Sequence, residues 1–285
     1  MGDPRAVLLP AAVSPLVAAE VGGAPRPCRV LASFPTCLYL ELGAHERVLA
    51  VLAADAISLP IGLRLALPSP EVRWGVEPGD EVLVGEGRVR LPRAEVVATR
   101  CSRPARVRPQ PRGSARTLSL PDPGVLGELA HDLTSAALGG RSAVPGVRGL
   151  VGVGRGLTPS GDDALCGILL TLGALDDLRA QRALGVVRAA VRDVLPRTTS
   201  LSAALLLAAG LGYAVPDVVR LVTLLVGAPR VGEDPADLDD LVGRVLAIGH
   251  SSGRDLLSGV SGALRAVDTR HPTSHPHPTE GAHRG

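Results

Sequence analysis

The hydrophobic period changes once along this 285-residue chain, and that change limits the fold more than any other feature. Between residues 28 and 100 the apolar residues fall in short runs, RVLASF, CLYLEL, RVLAVLA, GLRLAL, DEVLVG and GRVRLP, separated by Gly, Pro and Asp. Runs of that length between turn residues predict strands. The stretch VEPGDEVLVGEGRVRLP reads as a hairpin of a compact barrel, with Gly85, Glu86 and Gly87 at its turn. From residue 121 to about 268 the spacing is helical and predicts helices at 123–138, 160–178, 179–195, 199–212, 215–227, 236–248 and 252–267. Strands first and helices afterwards make an α+β chain: a β-rich, small-barrel-like N-terminal part followed by an all-α helical C-terminal domain. The expected boundaries are a β-rich domain at 1–107, a linker at 108–120 inside a Pro- and Arg-rich stretch, a helical domain at 121–268, and a tail at 269–285. That tail holds four of the seven His and three Pro and is expected to be disordered.

Composition removes several function classes. The apolar residues are almost all Ala, Val and Leu, with one Phe (Phe34), one Trp (Trp74) and two Tyr, so the chain has no aromatic platform for stacking bases. No Lys occurs among the thirty basic residues, which excludes Schiff-base chemistry, covalent pyridoxal phosphate and the P-loop lysine. A net charge of +2 with scattered Arg gives no case for nucleic acid or an anionic membrane as partner. Cys28, Cys37, Cys101 and Cys166 form no CxxC pair and read as reduced thiols of a cytoplasmic protein. Asp3 and prolines 4, 10 and 15 spoil a secretory signal at the N-terminus. Residues 198–216 are uncharged, nearly long enough for a membrane span, but their Ser, Thr, Gly and Pro content favours a buried core helix.

Three segments carry chemistry. The first, GLVGVGRGLTPSGDD at 149–163, has glycines at 149, 152, 154 and 156 ahead of a Thr-Pro-Ser-Gly-Asp-Asp run. Such glycines allow positive φ and close backbone approach to a ligand. Ser160 and Asp163 are spaced as a capping box at the start of a helix, where N–H groups and the Thr158 and Ser160 hydroxyls would suit an anion. Leu157 stands where the third glycine of a dinucleotide fingerprint belongs, so that motif is not met. As plain structure, the same residues would form a tight turn with Asp162 and Asp163 favoured by the helix dipole.

The second segment, GHSSGRDLLSG at 249–259, repeats the first in outline: S-G-x-D-x-L-x-G occurs at 160–167 and again at 252–259. Two equivalent capped helix starts facing one cleft are expected. His250, next to the second start, is a candidate general acid or base, and equally a capping residue. RTTSLS at 197–202 has more hydroxyls than an N-cap needs, which suggests Thr199 and Ser202, with Arg197, for the same cleft. Glu41, His45 and Glu46 form a polar cluster in the first half that reads as a solvated loop.

GxGxGLTPSGDD at 152–163, RTTSLS at 197–202 and GHSSGRDLLSG at 249–259, in this order, resemble the family of the oxamate carbamoyltransferase small subunit of allantoin degradation, over roughly residues 28 to 268. The resemblance implies a subunit of an enzyme that moves a carbamoyl group between oxalurate and phosphate, giving oxamate and carbamoyl phosphate, with partner subunits sharing the work. The STRT signature of ordinary carbamoyltransferases is absent.

Roles follow from residue chemistry. Asp162, Asp163 and His250 are the candidate catalytic groups. Gly152, Gly154, Arg155, Gly156, Thr158, Ser160, Gly161, Thr199, Ser202, Ser251, Ser252, Gly253 and Asp255 are the candidates for binding a small carboxylate- or phosphate-bearing substrate, and Arg254 is a further carboxylate ligand. Carboxylates beside a phosphate repel it unless Mg²⁺ intervenes; no metal ligand set and no other cofactor is legible. The alternatives are a non-catalytic anion-binding or assembly subunit, and a hydrolase using the two Asp.

Overall fold

The computed structural model describes residues 7–113, 120–228 and 235–269. Eight strands, β1 (Val7–Val13), β2 (Arg26–Ser33), β3 (Cys37–Glu41), β4 (Val48–Leu52), β5 (Gly62–Leu65), β6 (Glu81–Gly85), β7 (Arg88–Arg90) and β8 (Ala94–Cys101), close into a barrel in the order β1-β5-β4-β3-β2-β6-β7-β8. Most neighbours are antiparallel; β4 pairs parallel with β5, and β1 pairs parallel with β8 to close the ring. Alternate residues point inward, and Val30, Leu38, Leu40, Val84, Val89 and Val96 fill the lumen without leaving apolar surface to water. At the β6–β7 hairpin, Gly85 pairs with Arg88, leaving Glu86 (φ 54°) and Gly87 (φ 74°) as the loop. Two successive positive φ values match the right-handed twist of the flanking strands.

Helices follow: α1 (Ala18–Gly22) lies inside the barrel sequence, then come α2 (Gly124–Leu138), α3 (Val144–Leu150), α4 (Ser160–Ala174), α5 (Leu178–Arg192), α6 (Ser200–Gly210), α7 (Pro216–Val226), α8 (Pro235–Leu246) and α9 (Ser252–Asp268). The α+β reading holds. The sequence pattern does not reveal β1, β8, α1 or α3. Without β1 and β8 the sheet would stay open, and their pairing is the longest-range contact in the barrel, invisible to a local pattern.

The uncharged stretch at 198–216 is not one long helix. It breaks into α6 and the start of α7, and no helix among the described residues is long and apolar enough to cross a membrane. α6 is apolar all round because it is buried on both sides. Leu201, Ala204 and Ala208 belong to the barrel's core, whereas Ala203, Leu206 and Ala209 belong to the helical core. β4, buried at every residue, lies under α6.

The helical core is assembled by small residues. α9 crosses α4 with Gly167 against the Leu256 carbonyl and Gly259 against the Ala164 carbonyl, and meets α2 where Gly262 faces the Gly127 carbonyl. A Cβ at Gly259 would stand 2.0 Å from the Ala164 oxygen. Residues 105–113, in the expected linker region, are tied along helix ends. Val107, Gln110 and Gly113 donate their N–H groups to Gly212, Ala174 and Val226 carbonyls, and the Gln110 side chain donates to Thr223 O. Ala174 and Val226 are the last residues of α4 and α7, whose carbonyls lack an intrahelical donor, and Gly212 lies just past the end of α6. The tail from residue 270 onward, and residues 114–119 of the expected linker, lie outside the described residues.

Candidate functional site

All three motif segments meet. The loop at 151–159 is fixed by Asp162, which is fully buried: its Oδ1 accepts the Gly152 N–H at 2.9 Å and its Oδ2 accepts the Thr198 hydroxyl. Gly152 has φ 70° and lies against the Arg197 carbonyl, so the turn leaves no room for a side chain there. Thr199 caps α6 by accepting the Ser202 N–H at 3.1 Å, and its hydroxyl donates to Leu157 O. The Thr158 and Ser252 hydroxyls are 2.9 Å apart, which joins the segment at 149–163 to the one at 249–259. Asp162→Ala is therefore expected to cost about 2–4 kcal/mol, because it orphans two donors. Urea denaturation of the variant measures it, and a loss below about 1 kcal/mol would contradict the tethering role.

The S-G-x-D-x-L-x-G repeat has a structural meaning. Gly161 and Gly253 each begin a helix directly over the end of the preceding one; a Cβ on either would stand 1.9 Å from a carbonyl oxygen, of Leu150 and Val245 respectively. Leu165 and Leu257 point into the core, and Gly167 and Gly259 form the reciprocal crossing. The expected side-chain caps are not formed. Pro159 and Ser251 occupy the N-cap positions with no side-chain cap bond, and Ser160 is already helical. At α4 the reason is that proline, whose side chain has no acceptor, holds the N-cap position, while the Asp163 carboxyl is engaged by Ser252 and Thr158. The N–H groups of Gly161, Asp162 and Asp163 are taken by the Val153 and Pro159 carbonyls, which removes three of the donors expected for an anion.

Behind this junction a cleft of about 260 Å³ opens between the barrel and the helices. Barrel residues Phe34, Tyr39, Ile57 and Leu59 form one wall, and Leu157, Leu170, Leu201, Leu205, Val218 and Leu256 form the other. Thr158, Asp163 and Ser252 supply the polar floor beside Cys166. Burial raises the Asp163 pKa to about 8, with the charges of Asp255 and Asp162 adding to the rise, while hydrogen bonds from Ser252 and Thr158 oppose it. The carboxyl is therefore largely protonated near neutrality. Burial also pushes the Cys166 thiol up, helped by Asp163 and Asp162, so it is no ready nucleophile. The Oδ2 atoms of Asp163 and Asp255 are both buried without a hydrogen-bond partner among the described residues.

Other candidates lie elsewhere. His250, Ser251 and Arg254 are exposed or at the rim of α9 and do not line the cleft. Gly154, Arg155 and Gly156 form an exposed loop tip, with φ 124° at Gly154 and 86° at Gly156. Ser160, Thr199 and Ser202 stay off the cleft wall. Among the described residues no group of three or more His, Cys, Asp or Glu is gathered for a metal, and both Asp162 oxygens are engaged. The pattern misses the apolar walls entirely, and misses Ser200. Its hydroxyl donates to Glu41 Oε1 at 2.9 Å and lies 3.1 Å from His45 Nδ1, while His45 Nε2 lies 3.0 Å from Thr198 O. Glu41 and His45 are thus a polar clasp between barrel and α6 and not a solvated loop; the polar cluster and the extra hydroxyl of RTTSLS are its traces in the sequence.

Fold and cleft define a protein in which a closed barrel and a helical layer share an apolar-walled site with a carboxyl at its floor. Residues 150–264 match the family model of oxamate carbamoyltransferase subunit AllH. The match supports the family resemblance read from the three motif segments, all of which lie within the matched residues; the barrel lies outside it. No curated protein and no solved structure matches the chain significantly.

Proposed function

We propose that the chain is a cytoplasmic subunit of a carbamoyl-transferring enzyme that interconverts oxalurate plus phosphate with oxamate plus carbamoyl phosphate. The observation that carries the reading is the convergence of the three family-like segments through Asp162, Thr198, Thr158 and Ser252. In this reading the β-rich domain at 1–107 and the helical domain at 121–268 act as one unit, and the small anion lies at the exposed loop tip. There the guanidinium of Arg155 and the backbone of Gly154 and Gly156 meet its oxygens. The neutral Asp163 acid holds the floor behind it. Nothing in the loop tip completes a transfer site alone, so partner subunits supply the remaining groups.

The test is reconstitution with partner subunits and an assay of phosphate-dependent oxalurate cleavage. Arg155→Ala, at an exposed position, is expected to raise KM for phosphate about tenfold or more, the value of one charged hydrogen bond. Transfer at the same rate without this chain, or an unchanged KM in the variant, rejects the reading. A second reading, a non-catalytic binding or assembly subunit, is favoured by the occupied N–H groups at the α4 start. It predicts that the complex falls apart without this chain while every variant in the loop leaves KM unchanged.

A further inference from the structure

The cleft and the loop tip have opposite chemistry. Among the described residues no Arg or His lines the cleft; its one Asp, Asp163, is largely protonated near neutrality, and the charges that act on it are those of the carboxylates Asp255 and Asp162. A carboxylate or phosphate placed there would leave water without meeting a cation, which is prohibitive. The walls are instead aliphatic and aromatic, and two large apolar residues at the cleft, Phe34 and Ile57, are each 45% exposed. An apolar cavity with a few convergent polar groups is the usual form of a small-molecule site. Asp163, 8% exposed, keeps one buried oxygen with no protein partner among the described residues.

We infer that this cleft binds an uncharged ligand with an apolar body and a carboxamide or ureido head, the head against Asp163, Thr158 and Ser252 and the body between the barrel and Leu170, Leu205 and Leu256. A neutral carboxylic acid donates through O–H and accepts through C=O. A primary amide offers both C=O to accept and N–H to donate, so it can pair with the acid whichever group the acid presents to the cleft. The Thr158 and Ser252 hydroxyls serve the remaining amide hydrogen or oxygen. The raised pKa of Asp163 keeps the acid in the form this pairing needs. An ammonium head would instead require the ionised carboxylate, and a carboxylate head would leave water with no cation to meet it. The inference goes beyond the carbamoyl-transfer reading, whose anion sits at Arg155 outside the cleft, and it is tested without turnover.

Isothermal titration of the full chain at about pH 6.5 with butanamide, hexanamide and octanamide tests it, with octanoate and octylamine as matched controls. Affinity is expected to rise about fourfold per added methylene, the equivalent of roughly 0.8 kcal/mol for each CH₂ buried. Octanamide is expected to bind at least about tenfold more tightly than either charged control, and to weaken as the pH passes about 8 to 9. Asp163→Asn, which keeps one donor and one acceptor, should retain octanamide and lose the pH dependence. Ile57→Asp, at an exposed position, should weaken octanamide about fivefold or more. Equal binding of octanoate or octylamine, absence of chain-length dependence, or an unchanged affinity in Ile57→Asp would overturn the inference, whatever the outcome of the transfer assay.

Discussion

Gly259→Ala is expected to destabilise the protein by at least about 3 kcal/mol, and Gly259→Val to leave the helical part unfolded. The added Cβ would stand 2.0 Å from the Ala164 carbonyl oxygen and 2.7 to 2.8 Å from that residue's other backbone atoms. Those atoms belong to α4 and cannot swing aside as a side chain would. Moving α9 outward would open the reciprocal contact of Gly167 with Leu256 and the contact of Gly262 with Gly127, so one methyl group disturbs three interfaces. Gly185 is the control: it lies inside α5 with nothing near its Cβ position, and Gly185→Ala should stabilise by about 0.5–1 kcal/mol. Thermal or urea melts of the two variants measure the contrast. Similar effects at both positions would show that helix propensity, and not close approach, sets the cost.

Stability is expected to fall as pH rises from about 5 to 9, and Asp163 is the cause. Its pKa stands near 8 in the folded chain against an ordinary value of 3.8. Between those values the folded state holds a proton that the unfolded state has released. Raising the pH therefore favours unfolding, with the benefit fully present below about pH 4 and gone above about pH 8. The slope is at most about 1.4 kcal/mol per pH unit. Asp163→Asn removes the titrating group while keeping its shape; its stability should be flat over the same window and exceed that of the parent chain at pH 9. Urea midpoints at several pH values decide this, and a parent stability that rises across the window would contradict the burial of an acid at this place.

The two halves are legible in the sequence because each repeats a local rule many times. Six of the eight strands show as short apolar runs, and seven helices as helical spacing. β1 and β8 escape because each is recognised through the other, across most of the barrel's sequence. The site is legible where it is polar. Thr158, Asp163 and Ser252 stand out as motif residues and do meet at the cleft floor. The repeated glycines suggest ligand contact, yet Gly161, Gly167, Gly253 and Gly259 serve helix packing. The cleft walls are illegible because Leu170, Leu201, Leu205 and Leu256 are the same residue types as the core around them, and only the packing leaves space beside them. Ser200 and His45 come together from positions 155 residues apart, a separation no spacing rule covers.

The closure of the barrel by β1 against β8 also governs the order in which the chain can mature. Val7 has its partner at Ala94, so β1 leaves the ribosome well before β8 and waits for it before the ring can close. The barrel's core is completed later still, when Leu201, Ala204 and Ala208 arrive on α6. Pairings of such long separation form slowly, because loop-closure entropy is lost before contacts are gained. During that interval the strand edges and the all-apolar β4 stay uncovered, which makes the nascent barrel the segment that most needs protection from aggregation during synthesis.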